Sequence, residues 1–218
     1  MYNNYSIEKI NQKVRPDASF KIIVVGDSGV GKSAISIQGV SEKYNDLYSP
    51  TICFEYYWLN YLVNNSTKIR LKIWDTCGQE AFKALTGNFY HDSALAIIVY
   101  SITDKTSFER VSEWLAILRE QCEKKLKIIL VGNKSDLENK RGVTYQRALK
   151  YQIDNDINYF IETSAKNGSN IEFLFKLITQ MLFEDYISNN SKLNDKDSKK
   201  IELKLTNYVK EDSNGWCI

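Results

Sequence analysis

The residues best suited to chemistry form a glycine-rich loop, Gly26–Ser33, whose letters GDSGVGKS fit the phosphate-binding pattern G-x-x-x-x-G-K-[ST]. An apolar run, Phe20–Val25, leads into the loop as a predicted strand, and a helix-compatible stretch, Ala34–Val40, leads out of it. Glycines let backbone N–H groups turn inward, and the helix N-terminus behind them favours anions. Lys32 adds a point charge for terminal phosphates, and the Ser33 hydroxyl suits Mg²⁺, which prefers oxygen ligands. The stretch therefore predicts a phosphate site.

A second polar segment, Asn133–Asp136, bears on which base would be bound. It follows an apolar run predicted as a strand, and a carboxylate at Asp136 can accept from both N1–H and the exocyclic amine of guanine. Adenine lacks this donor pair, so it would leave a buried charge unpaired at a cost of several kcal/mol. Asn133 would brace the neighbouring loops, and the stem of Lys134 would cover the base. A plain polar turn, and a P-loop ATPase or kinase, are the alternative interpretations.

A third group surrounds the sequence Asp75-Thr76-Cys77-Gly78-Gln79. Asp75, at a predicted strand end, can hold Mg²⁺ through water, and Gln79 can orient an attacking water. Gly78 permits close backbone approach to a γ-phosphate, and Thr51 offers its hydroxyl and backbone to the metal and the phosphate. The predicted chemistry is phosphoryl transfer to water. Its predicted catalytic residues are Gln79, Lys32 and Thr51, and its predicted metal ligands are Ser33, Thr51 and Asp75.

Apolar runs alternate with helical patterns along most of the chain, which is typical of an α/β fold. Ala94–Tyr100 suits a parallel strand buried on both faces, whereas Lys68–Trp74 alternates and would pair with Cys53–Val63 across the turn Asn64-Asn65-Ser66. We expect a P-loop NTPase fold: a mostly parallel six-stranded sheet with one antiparallel strand and helices on both faces. The predicted organisation is a flexible extension over 1–19, a nucleotide-binding domain over 20–187 and a disordered tail over 188–218.

Composition limits the class of protein further. The chain has 218 residues, enough for one globular core, and a net charge of +2, which argues against bulk electrostatic binding of nucleic acid. Its four cysteines form no C-x-x-C pair and are typical of reduced thiols in a cytosolic protein. No stretch approaches the roughly 18 apolar residues of a transmembrane helix, and residues 1–19 lack the apolar segment of a signal peptide.

These motifs together resemble the Ras superfamily of small GTPases, most closely its Rab branch. The resemblance covers about residues 20–187 and includes five segments in order: Gly26–Ser33, Tyr48–Thr51, Trp74–Glu80, Asn133–Asp136 and Glu162–Lys166. It implies a GTP/GDP molecular switch that hydrolyses GTP slowly and regulates vesicle and membrane trafficking. A Ras- or Rho-type signalling GTPase and a GTP-binding scaffold with little hydrolysis are the alternatives.

The resemblance also implies roles for individual residues. Thr51 would belong to the first switch loop and Gln79 to the second, while Tyr44 would stack on guanine beneath a closing Ser164–Lys166 loop. The residues expected to contact the nucleotide are Asp27, Ser28, Gly29, Val30, Gly31, Lys32, Ser33, Ala34, Tyr44, Tyr48, Thr51, Gly78, Asn133, Lys134, Asp136, Ser164, Ala165 and Lys166. An effector surface would use the aromatic residues Tyr56, Trp74 and Phe89.

The implied partners are a guanine-nucleotide exchange factor, a GTPase-activating protein and effectors acting through the switch loops, with a GDP-dissociation inhibitor and a prenyltransferase as further candidates. Rab proteins typically end in two cysteines, whereas this chain ends Cys217-Ile218. A prenyl group on Cys217 would give a single, reversible anchor on the cytosolic face of an intracellular membrane. Cys53, Cys77 and Pro50 also depart from the Rab pattern, which leaves the subfamily open.

Overall fold

The computed structural model describes residues 5–11, 14–42, 54–76, 90–122 and 126–190. The chain divides into two compact units, residues 1–180 and 181–218, and of the second the described part, 181–190, is helical. Several residues predicted to be functional lie outside the described ranges, and their roles stay predictions: Tyr44, Tyr48, Thr51, Gly78, Gln79, Phe89 and Cys217.

A seven-stranded sheet forms the centre of the first unit, with the strand order β1-β3-β4-β2-β5-β6-β7. Strand β2 pairs in parallel with both β4 and β5, and β6 and β7 continue this parallel arrangement. Among the described strands, β3 is the one that runs in the opposite direction, and it pairs antiparallel with β1 and with β4. The predicted α/β class is therefore confirmed. The strands are β1 (Ile7–Lys9), β2 (Ala18–Val25), β3 (Phe54–Val63), β4 (Thr67–Thr76), β5 (Ser93–Ser101), β6 (Lys127–Asn133) and β7 (Tyr159–Glu162).

The predicted hairpin between β3 and β4 is present, and its turn explains its register. Three residues connect the paired Val63 and Thr67: Asn64 and Asn65 have positive φ angles, 50° and 55°, and the Ser66 N–H donates to the Val63 carbonyl at 3.1 Å. Asparagine tolerates this left-handed region better than most residues, because its short polar side chain bonds locally. The turn sets Tyr56 opposite Trp74 and Glu55 opposite Asp75.

The described part of the chain contains five α-helices and a 3-10 helix, Ser135–Lys140. The α-helices are α1 (Lys32–Ser41), α2 (Lys105–Glu109), α3 (Val111–Gln121), α4 (Tyr145–Asp154) and α5 (residues 171–190), of which 171–180 belong to the first unit. Arg110 separates two of these helices, because it ends α2 and precedes α3. Asp104, with extended backbone, accepts from the Thr106 N–H at 2.9 Å and begins α2. None of the described helices is long and apolar enough to cross a bilayer.

Strand β1 corrects two expectations, since it adds a seventh strand and lies within the extension predicted to be flexible. Ile7 pairs with Val63 at the outer edge of β3, so the backbone of a polar segment gains partners that its sequence does not announce. The Lys9 ammonium also donates to the carbonyls of Gly39 and Val40, at 2.9 and 3.1 Å. A cation suits these last carbonyls of α1, because a helix C-terminus carries partial negative charge.

Alternation along the central strands builds two cores. Ile23 and Val25 belong to a buried cluster with Trp114 and Leu118 of α3. Ile22 and Val24 are equally buried, and a strand directs them to the opposite face. The carboxyl ends of β4, β2, β6 and β7 meet along one edge of the sheet. In open α/β sheets, ligands bind in the crevice at this edge, which is where the predicted polar segments emerge.

Candidate nucleotide site

The loop between β2 and α1 requires glycine at two positions for different steric reasons. Gly26 has a φ of 139°, and a Cβ there would lie 2.2 Å from the backbone oxygen of Val99 in β5. Gly31 has a φ of 101°, and a Cβ there would lie 2.2 Å from Nδ2 of Asn133. Any side chain would therefore both strain the backbone and collide with a neighbouring strand end. The glycine pattern of the motif follows from the packing of this loop against β5 and β6.

The Lys32 side chain lies inside the loop and contacts the loop's first two residues. Its side chain is only 5% exposed, and its ammonium donates to the carbonyl oxygens of Gly26 and Asp27, each at 2.9 Å. Lys32 is also the first residue of α1, so the unpaired N–H groups of that helix face the loop. Ser28 and Gly29 lie exposed at its tip. A buried cation and a helix N-terminus beside an open loop form a site for an anion such as phosphate.

Asp75, at the end of β4, provides a buried carboxylate beside this loop. It lies opposite Val24 in the register of β2 and β4, and the residue is fully buried. Neither carboxylate oxygen accepts a hydrogen bond of good geometry, although the Ser33 hydroxyl is close enough to influence the group. Burial raises the pKa of Asp75 to about 6, and the Ser33 hydroxyl and the Lys32 charge oppose this rise. An unsatisfied buried carboxylate next to a hydroxyl suits a hard divalent cation.

Asn133, at the end of β6, connects three segments through one amide. Its Nδ2 donates to the carbonyl of Val30 at 2.9 Å, which ties it to the phosphate-binding loop. Its Oδ1 accepts from the Ala165 N–H at 3.2 Å and from the Thr163 hydroxyl at 3.3 Å. Asn133 is 2% exposed, so these partners are shielded from water. These are the contacts that a brace between loops requires.

Asp136 and Ser164 meet across two loops of the same edge. The Ser164 hydroxyl donates to Oδ1 of Asp136 at 2.5 Å, and Ser164 is itself buried. Asp136 remains exposed, so its carboxylate borders the open side of the site. Lys134 adopts a left-handed backbone, with a φ of 68°, which turns the chain sharply after β6. The structure thus brings the segments Asn133–Asp136 and Thr163–Ala165 together. Asn133 and Thr163 themselves are 30 residues apart in the chain.

A charged cluster that the motifs do not single out lies behind these two loops. The Arg141 guanidinium donates to both carboxylate oxygens of Glu162, at 2.7 and 2.8 Å, and also pairs with Glu138. Arg141 and Glu162 are both largely buried, and these acidic partners raise the pKa of Arg141 above its ordinary value. Glu162 immediately precedes Thr163 and Ser164. The bidentate pair therefore fixes the start of the loop after β7, and Asn133 holds the same loop through Thr163 and Ala165.

Two of the three aromatic residues predicted to form an effector surface lie together on the hairpin. Tyr56 and Trp74 are cross-strand partners, and their rings meet edge to face with centroids 5.5 Å apart. Tyr56 also contacts Trp58, whose side chain is half exposed. The ammonium of Lys21 lies 5.1 Å from the centroid of the Trp74 ring. The hairpin therefore presents a partly exposed aromatic cluster, and its role as an effector surface stays a prediction.

The loop requires glycine, contains a buried lysine and lies at the carboxyl edge of a parallel sheet. These features define a P-loop nucleotide-binding domain. Comparison with known proteins is more specific, because the family model described as the Ras family matches residues 21–184. The chain therefore belongs to the Ras family and is a small GTPase, as its motifs predict.

Individual relatives agree with this family. The chain is 39% identical over 175 residues to the GTP-binding protein ypt3 of Schizosaccharomyces pombe, which covers 80% of each chain. It is 37% identical over 164 residues to the Ras-related protein Rab-13 of Canis lupus familiaris, covering 75% of this chain and 80% of that protein. It is 32% identical over 201 residues to ypt1 of S. pombe, covering 92% and 98%. The similarity to the Rab branch is thus confirmed.

Replacing Asn133 with alanine tests the brace. The exchange leaves the Val30 carbonyl and the Ala165 N–H without their partner, so we expect the free energy of unfolding to fall by about 2–4 kcal/mol. Urea denaturation measures this loss. Asn167→Ala is the matched control, since Asn167 is exposed and its side chain accepts a hydrogen bond from the nearby Ser169 N–H at 3.0 Å. Equal losses for the two variants would show that Asn133 does not brace the loops.

Proposed function

We propose that this chain is a Rab-type GTP/GDP switch that acts in vesicle and membrane trafficking. Membership of the Ras family supports nucleotide-dependent switching, and the similarity to proteins named Rab-13, ypt1 and ypt3 favours the Rab branch over Ras- or Rho-type signalling. The observation that carries the proposal is the set of hydrogen bonds from the Asn133 side chain to Val30 and Ala165, which we call the Asn133 junction. It joins the phosphate-binding loop to the two segments suited to a guanine base. Regulators and effectors would act through the loops on either side of the β3–β4 hairpin.

In this mechanism the residues that the structure describes bind and orient the nucleotide. The attacking water is assigned to Gln79, which lies outside the described residues. Lys32 would exchange its carbonyl partners for the terminal phosphates, and the N–H groups at the start of α1 would bind the same anion. Asp136 would accept two hydrogen bonds from guanine, held in place by Ser164. Gln79 would position the attacking water and Thr51 would follow the γ-phosphate, as predicted from the sequence. Loss of that phosphate would release both switch loops.

Mg²⁺ fits the residues beside the loop. The Ser33 hydroxyl and the Asp75 carboxylate are oxygen donors, and Asp75 is buried without a hydrogen bond of good geometry. Bound there with the nucleotide, the ion would offset phosphate charge. Asp75 would hold it through water, and Ser33 and Thr51 would ligate it directly.

Asp75→Asn tests this metal site. We expect Mg²⁺ removal by a chelator to speed GDP release from the wild type about tenfold or more, because the ion links phosphate to protein. The variant should release GDP rapidly with Mg²⁺ present and respond little to the chelator. Fluorescent GDP measures both rates, and Asp92→Asn, at an exposed carboxylate, is the control. In metal-free protein, Asp75→Asn should not lower the free energy of unfolding, since it removes a buried carboxylate that lacks hydrogen bonds. A variant that responds to the chelator as the wild type does would reject the assignment.

Asp136→Asn tests the base assignment. The asparagine amide would face two guanine donors, so we expect GDP affinity to fall by about 100-fold, the equivalent of two hydrogen bonds to a charged group. Xanthine carries a carbonyl where guanine has its amine, so XDP should bind the variant better than GDP does. Competition against fluorescent nucleotide measures the order. Asp154→Asn, at an exposed ion pair on α4, is the control. The assignment fails if ATP displaces GDP from the wild type as well as GTP does.

The membrane part of the proposal depends on Cys217. We expect the wild type to distribute with intracellular membranes and Cys217→Ser to move to the cytosol, because a single prenyl chain gives marginal, reversible binding. Fractionation and fluorescence localisation check this outcome. Cys122→Ser is the control, since Cys122 lies at the end of α3 and its thiol contacts the Tyr90 carbonyl. A Cys217→Ser protein that stays on membranes contradicts lipid anchoring at this residue.

A further inference from the structure

Asp27, at a variable position of the phosphate-binding motif, forms a cluster with two side chains from outside the loop. Oδ1 of Asp27 accepts from the indole N–H of Trp114 at 3.0 Å, and Oδ2 accepts from the Arg110 guanidinium at 3.3 Å. Asp27 is the second residue of the loop, whereas the other two stand 83 and 87 residues later. We call Asp27, Arg110 and Trp114 the Asp27 clamp. Its members join the loop to the start of α3.

The geometry of α3 makes this clamp rigid on one side. Arg110 and Trp114 are four residues apart, so they lie on the same face of the helix. Trp114 is 2% exposed and packs in the core cluster with Leu118 and other apolar residues of that face. Its indole N–H is therefore a donor in a fixed position, held by a large apolar side chain rather than by a flexible one.

The loop side of the clamp contacts the phosphate-binding lysine. The backbone carbonyl of Asp27 accepts from the Lys32 ammonium at 2.9 Å, while its carboxylate is held by α3. One residue thus contacts both α3 and the lysine that would turn from this carbonyl to the phosphates, and the carboxylate contacts with α3 do not depend on that lysine. The neighbouring glycines, Gly26 and Gly29, have positive φ and provide little conformational restraint of their own. The contacts of the Asp27 side chain therefore hold the first half of the loop against the start of α3.

Charge gives the clamp a second effect. A carboxylate beside a triphosphate is unfavourable, because like charges repel and desolvation strengthens the repulsion. Arg110 lies close enough to offset the charge of Asp27, but its side chain is half exposed, so water screens the pair. The indole hydrogen bond is shielded and uses the other carboxylate oxygen. Trp114 is therefore the stronger partner of the two.

From these contacts we infer that Trp114 and Arg110 are positioning residues for the phosphate-binding loop. Through Asp27 they hold the loop in its phosphate-binding shape and slow the release of nucleotide. The inference rests on the proposed nucleotide site and extends it to a helix that contributes none of the residues predicted to contact the ligand.

Release of fluorescent GDP, with Mg²⁺ present, tests the clamp. We expect Trp114→Phe, which keeps most of the packing but removes the donor, to release GDP about 5- to 10-fold faster, the equivalent of one hydrogen bond to a charged group. Asp27→Ala should accelerate release by a similar factor. The double variant should be no faster than Asp27→Ala alone, because Asp27→Ala already removes the bond from the indole. Asp27→Asn keeps an oxygen that accepts from the indole, so its release rate should be intermediate.

A second readout separates positioning of the loop from loss of packing. The clamp acts on the phosphate side, so its variants should lose affinity for GDP while their weaker affinity for GMP, which lacks a β-phosphate, stays near that of the wild type. Competition binding gives both affinities. Trp58→Phe is the matched control, since Trp58 lies half exposed on β3 and should leave release unchanged.

Two results would overturn the inference. One is GDP release at the wild-type rate from both Trp114→Phe and Asp27→Ala. The other is an equal loss of GDP and GMP affinity, which indicates general loosening of the fold. Asp27→Ala keeps the test decisive if Trp114→Phe fails to fold, because Asp27 is outside the apolar core. A wild type that binds neither GDP nor GMP contradicts the proposed function, and this inference with it.

Discussion

The amide of Asn133 is the contact on which the arrangement of the site depends. It joins the phosphate-binding loop to the loop after β7, and the pair Asn133 and Val30 is separated by 103 residues. The same amide explains why position 31 requires glycine, since a Cβ there would lie 2.2 Å from Nδ2. Buried amide groups are costly unless every partner is present. The parallel sheet supplies those partners by bringing the ends of β2, β6 and β7 to one edge.

Asp75 shows the opposite balance between stability and function. Its carboxylate lies in the same sheet edge, fully buried, and burial raises its pKa to about 6. Without a bound cation, a group in that environment lowers the free energy of unfolding, since an ionised carboxylate needs compensating partners. The Asn133 junction and the Arg141–Glu162 pair stabilise the surrounding loops through satisfied polar contacts. The unfavourable group is thus confined to the one position where a cation and phosphate would satisfy it.

Local patterns made much of this molecule predictable. The apolar runs gave the central strands, the two asparagines gave the hairpin turn, and the glycine-lysine motif gave the strand–loop–helix unit, because each depends on neighbours in sequence. Strand β1 escaped prediction since Ile7–Lys9 is short and polar and gains its partners from the edge of β3. The Arg141–Glu162 and Asp27–Trp114 contacts escaped for a related reason. Residues so far apart leave no periodic signal, and only the sheet order brings them together.

Burial distinguishes the two connections that hold the phosphate-binding loop. Asn133 acts through shielded bonds to backbone groups that have no access to water, so its contribution belongs mainly to the folded state itself. The Asp27 clamp includes a half-exposed arginine, whose guanidinium water can solvate when its contact with Asp27 opens. Opening the clamp therefore costs the fold less than opening the Asn133 junction. A loop held firmly on the base side and more lightly on the α3 side can change its grip on phosphate without unfolding the site, which is the behaviour that a nucleotide switch requires.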